Sequence, residues 1–172
     1  MLDPANSNCP YEGSFAFGPP YYWEPPGGPP YPSIMAGEFG LQAGTMPGQS
    51  GIAAGRFGWA NPATGVVLNT RATAQDQLGI VIPRRVNWEA AYISQGSRWL
   101  RAGFGVTVIS RGAFWMRFPA GAFRGDPVYA SLIDGSAVSG AGTDNTELTK
   151  FFVTFGCDPG GLAQVSSYAG FT

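Results

Sequence analysis

The sequence predicts an all-β protein, a single β-sandwich or barrel over residues 50–172, preceded by an extended proline-rich arm over residues 1–49. From about residue 50, short segments rich in β-branched and aromatic residues alternate with Gly, Pro, Asn and Asp, at a spacing of roughly 8–12 residues. Before residue 50, most of the 15 prolines are crowded together. Proline fixes φ and removes a backbone donor, so that region is neither helix nor central strand.

Each predicted strand is bounded by turn-forming residues. Asn61-Pro62-Ala63-Thr64-Gly65 and Ile133-Asp134-Gly135 have the composition of hairpin turns. The predicted strands are 52–60, 65–70, 78–82, 89–94, 104–111, 113–118, 127–133, 149–155 and 162–168.

The arm carries aromatic side chains that are unusual in a disordered spacer: Tyr21, Tyr22, Trp23 and Tyr31. Rings on a stiff, extended backbone form a docking strip, because the backbone loses little entropy on binding. Two interpretations stand: the arm folds back on its own body, or it lies on a neighbouring subunit. We favour the neighbouring subunit.

Charged residues make up 12% of the chain, against roughly 25% in ordinary soluble domains. This indicates either a surface partly covered by neighbours or a neutral, glycine-rich β protein. The net charge is -1, and Arg84-Arg85 is the only basic pair, so we expect no nucleic-acid partner. No apolar run approaches the ~20 residues of a membrane helix, so we expect no membrane partner.

Cys9 and Cys157 lie near opposite ends of the chain, where they either link the arm to the body or stay reduced. The first residues lack the basic and apolar regions of a signal peptide. We therefore expect synthesis in a reducing cytoplasm and free thiols.

The sequence predicts no enzyme and no cofactor. It contains no histidine, which excludes a Ser-His-Asp triad, a Cys-His pair and histidine metal ligands. We expect the acidic residues of the body to bond their own backbone in turns rather than to act as catalytic carboxylates; those considered are Asp126, Asp134, Asp144, Glu147 and Asp158.

Two strands carry large apolar side chains on both faces, since alternate residues point to opposite sides. Phe114, Met116 and Phe118 are predicted to share one face, with Trp115 on the other. Phe151, Val153 and Phe155 are likewise predicted to share one face, with Phe152 on the other. Trp115 and Phe152 are either hidden by loops or belong to a contact patch for another subunit.

The order of motifs from residue 50 to 168 resembles the structural cement, or capsid decoration, proteins of tailed bacteriophages. The resemblance is clearest in AGFGVTV (102–108), which is followed by RGAFWMR (111–117). Further motifs in the same order are 55–60, 65–67, 78–84, 125–130, 132–135, 150–153 and 161–166. The proline-rich arm departs from the usual shorter N-terminus of that family.

The resemblance implies a β-barrel or jelly-roll protein that binds the capsid exterior and bridges neighbouring major capsid subunits. The implied partners are the major capsid protein and further copies of this chain, as a dimer or trimer, within the virion. The interface residues we expect are Tyr21, Tyr22, Trp23, Tyr31, Arg84, Arg85, Trp115 and Phe152. The alternative is a receptor- or carbohydrate-binding module of a phage fibre or head spike.

Overall fold

The computed structural model of the protein describes residues 13, 35–36, 51–82, 99–102 and 106–168. Every regular element in those ranges is a β-strand, which confirms the all-β prediction. The strands are β1 (Met35–Ala36), β2 (Gly51–Ala53), β3 (Phe57–Asn61), β4 (Val66–Leu68), β5 (Gln77–Ile82), β6 (Trp99–Arg101), β7 (Thr107–Ile109), β8 (Ala113–Arg117), β9 (Pro127–Ser131), β10 (Ala137–Ser139), β11 (Thr146–Phe155) and β12 (Leu162–Ser166).

The described strands form three sheets. Sheet I has the order β1-β4-β3-β5-β7, sheet II the order β10-β9-β11-β12-β8, and sheet III pairs β2 with β6. Apart from the parallel β1–β4 pair, all neighbouring strands are antiparallel. Sheets I and II pack face to face, which makes the body a β-sandwich.

The main core fills the space between sheets I and II. Phe57 and Trp59 of β3 face Phe114 of β8 and Phe151 of β11, and all four side chains are buried. The ring centroids of Phe57 and Phe114 lie 5.9 Å and 6.0 Å from that of Phe151, in tilted and edge-on orientations that favour aromatic pairs.

A second core covers the opposite face of sheet I. Ile52 of β2 and Leu100 of β6 pack there with Val67, Val81 and Val108 of sheet I. Gly58 of β3 points into this core, where a Cβ atom would lie 2.6 Å from a methyl group of Val81. Sheet I is therefore buried on both faces, by sheet II on one side and sheet III on the other.

The predicted strand 52–60 is two strands. Gly55 has φ +81°, and its N–H donates to the carbonyl of Val81, so the chain turns between β2 and β3 and moves from sheet III to sheet I. The other predicted strands in the described ranges coincide with β4, β5, β7, β8, β9, β11 and β12, and both predicted turns form hairpins. The predicted strand 89–94 lies outside the described residues, and β1, β6 and β10 were not predicted.

Two separate points of the arm contact the body. The N–H of Gly13 donates to the carbonyl of Trp115 on β8 at 2.6 Å. Gly13 is buried with φ +79°, and a Cβ atom there would lie 2.7 Å from the Cα of Gly55. Further along, β1 pairs with β4 through Met35–Val66. The arm is thus attached to its own chain at both points.

Asn69 is a fully buried polar side chain that fixes the turn between β2 and β3. Its Oδ1 accepts from the N–H of Ala53 at 2.6 Å, and its Nδ2 donates to the carbonyls of Ala53 and Phe57. One amide thereby satisfies three backbone groups where the chain changes sheets.

Asn69→Ala should lower the free energy of unfolding by about 2–3 kcal/mol, because it leaves buried backbone groups without partners. Urea denaturation measures the loss. Asn145→Ala, at an exposed position, is the matched control and should change stability by less than about 0.5 kcal/mol. Equal effects of the two substitutions would contradict the role given to Asn69.

A polar contact joins the β9–β10 turn of sheet II to the start of β3. Arg56 Nη1 lies 2.7 Å from Asp134 Oδ2, and the N–H of Phe57 donates to the carbonyl of Gly135. Gly135 has φ +68°, and a Cβ atom there would lie 2.1 Å from the carbonyl oxygen of Phe57, so only glycine fits.

Partial burial acts to raise the pKa of Asp134, but hydrogen bonds from Ser136 and Ser131 and the charge of Arg56 outweigh it and hold the pKa below its ordinary value. A carboxyl whose pKa is lower in the folded state stabilises the fold above its unfolded pKa of about 3.9. That stabilisation is lost as the pH falls through the folded value.

Asp134→Asn should therefore flatten the decline of the unfolding free energy between about pH 5 and pH 2. Urea titrations of both proteins at several pH values measure the slope. The pKa of Asp76 is also lowered, because hydrogen bonds from Thr73 and Ala72 outweigh the effect of burial. Asp76 is still present in the variant, so the unfolding free energy of the variant should keep a smaller slope with pH. Parallel curves for the two proteins would contradict the contribution of Asp134.

Candidate interaction surface

The side of sheet II that faces away from the core, here called the outer face, carries several large apolar side chains. The strand registers place Trp115, Gln164 and Phe155 side by side across β8, β12 and β11. Phe152 lies in the next row, opposite Pro127 of β9. Their sequence neighbours Phe114, Met116, Val153 and Val165 point the other way, into the core.

A β-bulge determines where Phe155 points. Val153 pairs with Val165 and Phe155 with Gln164, so β11 has one extra residue at this place. The extra residue reverses the alternation of side chains beyond it. The prediction that Phe155 shares a face with Phe151 and Val153 is therefore wrong: those two are buried, whereas Phe155 is 63% exposed.

Phe123 extends the apolar area beside Phe155. It lies in the connection between β8 and β9, where Ala122 forms an isolated antiparallel bridge with Cys157. Gly156 permits a close approach, because a Cβ atom there would lie 2.5 Å from the carbonyl oxygen of Ala122. Ala122 enters the core, so Phe123 points outward, and it is 81% exposed.

Leu148 adds a third exposed apolar side chain. It lies opposite Tyr129 in the β9–β11 register and is 61% exposed. Large apolar side chains exposed together on one face of a sheet are typical of interaction sites. We refer to Phe123, Leu148 and Phe155 as the outer patch.

Two of the predicted interface residues belong to the same surface. Trp115 and Phe152 both lie on the outer face and both are half-buried. The other six predicted residues lie outside the described residues: Tyr21, Tyr22, Trp23, Tyr31, Arg84 and Arg85. The outer patch was not predicted from the sequence. Phe123 could have been noticed, because it is a large apolar residue in a predicted loop between Gly121 and Gly125.

The acidic residues of sheet II act as structural hydrogen-bond acceptors. Asp126 Oδ2 accepts from the N–H of Phe123 at 3.0 Å, as expected for a turn. Glu147, expected in a turn, instead belongs to β11 and points inward, where its Oε2 accepts from Trp59 Nε1 at 2.9 Å. Arg71 Nη1 lies 3.5 Å from the same oxygen. The contact between Trp59 and Glu147 connects the two sheets.

Cys157 is a half-buried thiol beside the outer patch. Burial is the main cause that raises its pKa, and Asp158 adds to the effect. The thiol is therefore protonated at neutral pH, the form that reacts slowly with oxidants and disulfides. Cys9, its possible partner in the sequence, lies outside the described residues.

Within the described ranges, no three His, Cys, Asp or Glu side chains lie close enough together to hold a metal ion. Nor does any helix in those ranges have the length and hydropathy that crossing a bilayer requires. The distinctive feature of this surface is apolar area on a rigid sheet, as expected of a protein that acts by contact with other proteins.

The comparison with protein families agrees with that class. Residues 31–167 match the family described as XM1 gp53 minor capsid protein. The match spans most of the chain, and the protein belongs to this family of phage minor capsid proteins. It is a structural protein of the virion. No curated protein matches the chain.

Phe155→Thr tests the bulge directly. An exposed phenylalanine replaced by a good strand former should change the free energy of unfolding by less than about 1 kcal/mol. Phe151→Ala, four residues earlier on the opposite face, should cost about 3–5 kcal/mol because it opens a cavity between the sheets. Comparable losses measured by urea denaturation would place Phe155 in the core and remove it from the outer patch.

Proposed function

We propose that the protein binds the exterior of the capsid and cements neighbouring major capsid subunits, without catalysing a reaction. The observation that carries this proposal is the outer patch: a minor capsid protein exposes Phe123, Leu148 and Phe155 on one side of a rigid sheet. Such side chains each contribute roughly 1.5–3 kcal/mol when a partner covers them fully.

The charge of the chain supports an exterior position. A protein packed against the genome needs a basic surface, because phosphate neutralisation dominates affinity for nucleic acid. With 10 basic and 11 acidic residues, this chain has no such excess. The resemblance of its motifs to capsid cement proteins points the same way.

The proposed contact surface combines the outer patch with Trp115 and Phe152. Tyr21, Tyr22, Trp23 and Tyr31 of the arm, and Arg84 and Arg85, are proposed as further contacts with the major capsid protein or with a second copy of this chain in a dimer or trimer. Because the lattice presents many subunits at a high effective concentration, modest contacts of each copy combine into a large stabilisation of the shell.

The receptor- or carbohydrate-binding alternative has less support. Sugar recognition combines an aromatic platform with several polar groups that hydrogen-bond the hydroxyls. The most exposed residues of the outer patch are two phenylalanines and a leucine. They suit a protein partner better, since apolar side chains at the centre of an interface gain most when water is excluded.

Phe123→Ser combined with Phe155→Thr should weaken binding to the particle by about 3 kcal/mol, or roughly a hundredfold in affinity. The measurement is the number of bound copies per major capsid subunit when purified variants are added to particles that lack the protein. Undiminished occupancy would contradict the proposed surface.

The matched control is Ile133→Ser. Ile133 is 64% exposed, like Phe155, but it lies in the β9–β10 turn, at the other end of β9 from Phe123 and Phe155. This variant removes an exposed apolar side chain without touching the proposed surface. It should bind particles as the unaltered protein does.

A further inference from the structure

Charge is distributed unevenly between the arm and the body. The arm, residues 1–49, contains Asp3, Glu12, Glu24 and Glu38 and no basic residue. The body holds all 10 basic residues of the chain and the other seven of its 11 acidic residues. An acidic segment joined to a basic body has an electrostatic reason to lie against it.

The body offers a cleft of suitable charge. A space of about 350 Å³ opens between β5, the β7–β8 turn and β11, with Arg111 and Lys150 among its lining residues. The one acidic residue in its lining, Glu147, is already held by Trp59 and Arg71. Within the described part of the chain, neither Arg111 nor Lys150 forms an ion pair with a carboxylate.

The two attachment points of the arm place one acidic residue within reach of this cleft. Glu24 lies midway between Gly13 and Met35, eleven residues from each. Eleven extended residues span up to about 36 Å. Gln77 of the cleft pairs with Ala60 of β3, next to the Asn61–Val66 pair. The cleft therefore lies at the same end of sheet I as Met35, about three strand spacings or ~14 Å away.

We propose that this cleft receives the middle of the arm of the same chain, with the Glu24 carboxylate between the guanidinium of Arg111 and the ammonium of Lys150. Glu12 and Glu38 are less able to reach the cleft, because each lies within two residues of an attached residue, Gly13 or Ala36. Attachment at both ends gives Glu24 a high effective concentration at its own cleft. The neighbouring Pro25 and Pro26 reduce the entropy lost on docking.

The proposal does not depend on capsid binding, and the free protein suffices to test it. Lys150 is the only lysine, so a carbodiimide that condenses a carboxylate with a nearby amine has a single side-chain amine to use. Mass spectrometry of the digested product should find Lys150 joined to Glu24. In an equal mixture of ¹⁵N-labelled and unlabelled protein, the link should join peptides of one isotope only.

Glu24→Gln should abolish that product, whereas the matched change Glu12→Gln should leave it. Links of Lys150 to carboxylates of the body alone, such as Asp144, would overturn the proposal. Mixed links between labelled and unlabelled peptides, in about half of the product, would equally overturn it, because the occupant would then be the arm of a second copy.

Proteolysis gives a second readout that needs no chemical coupling. Chymotrypsin cleaves after aromatic residues, and Tyr22 and Trp23 adjoin Glu24. Lys150→Glu should speed cleavage there about fivefold, the factor expected for loss of a partly exposed ion pair. Arg124→Glu, the same charge reversal at an exposed position outside the cleft lining, should leave the rate unchanged. Equal rates in both variants would contradict docking at the cleft.

Discussion

The burial of sheet I on both faces is the constraint on which the other features depend. Its central strand β3 sends Phe57 and Trp59 toward sheet II and Gly58 and Ala60 toward sheet III. A strand buried on both sides tolerates no charge and little change of volume. Within the described part of the chain, sheet II is consequently the layer whose outer face exposes large apolar side chains.

The outer face shows how one strand serves both folding and binding. Through Phe151 and Val153, β11 completes the core, and one extra residue then turns Phe155 toward solvent. Bulges commonly re-aim a side chain in this way at a working surface. The core thus stays closed while an aromatic ring is exposed to solvent.

The regular alternation of side chains along the strands could be predicted from the sequence, but the departures from that alternation could not. The inward face of β8 and both hairpin turns were predicted, because period-two patterns and turn residues act locally. The bulge in β11 depends on the register with β12, which no local pattern specifies, so Phe155 was misplaced. The break between β2 and β3 depends on contacts of Gly55 and Asn69 with residues far along the chain.

The side chains of the outer face follow the same division. The predicted side of the sheet was correct for Trp115 because it lies on the regular strand β8. It was correct for Phe152 because this residue precedes the bulge in β11. Phe123 was missed because its exposure results from the pairing of Ala122 with Cys157, more than thirty residues later. Leu148 was missed because the start of β11 was predicted three residues too late, at 149 rather than at Thr146.

The hydrogen bond between Gly13 and Trp115 also has a consequence for biosynthesis. The two residues are about a hundred positions apart, so the ribosome releases Gly13 long before its acceptor exists. Sheet II itself is completed only when β12, near the C-terminal end, inserts between β8 and β11. The arm can therefore reach its attachment on β8 only after about two thirds of the chain has been synthesised.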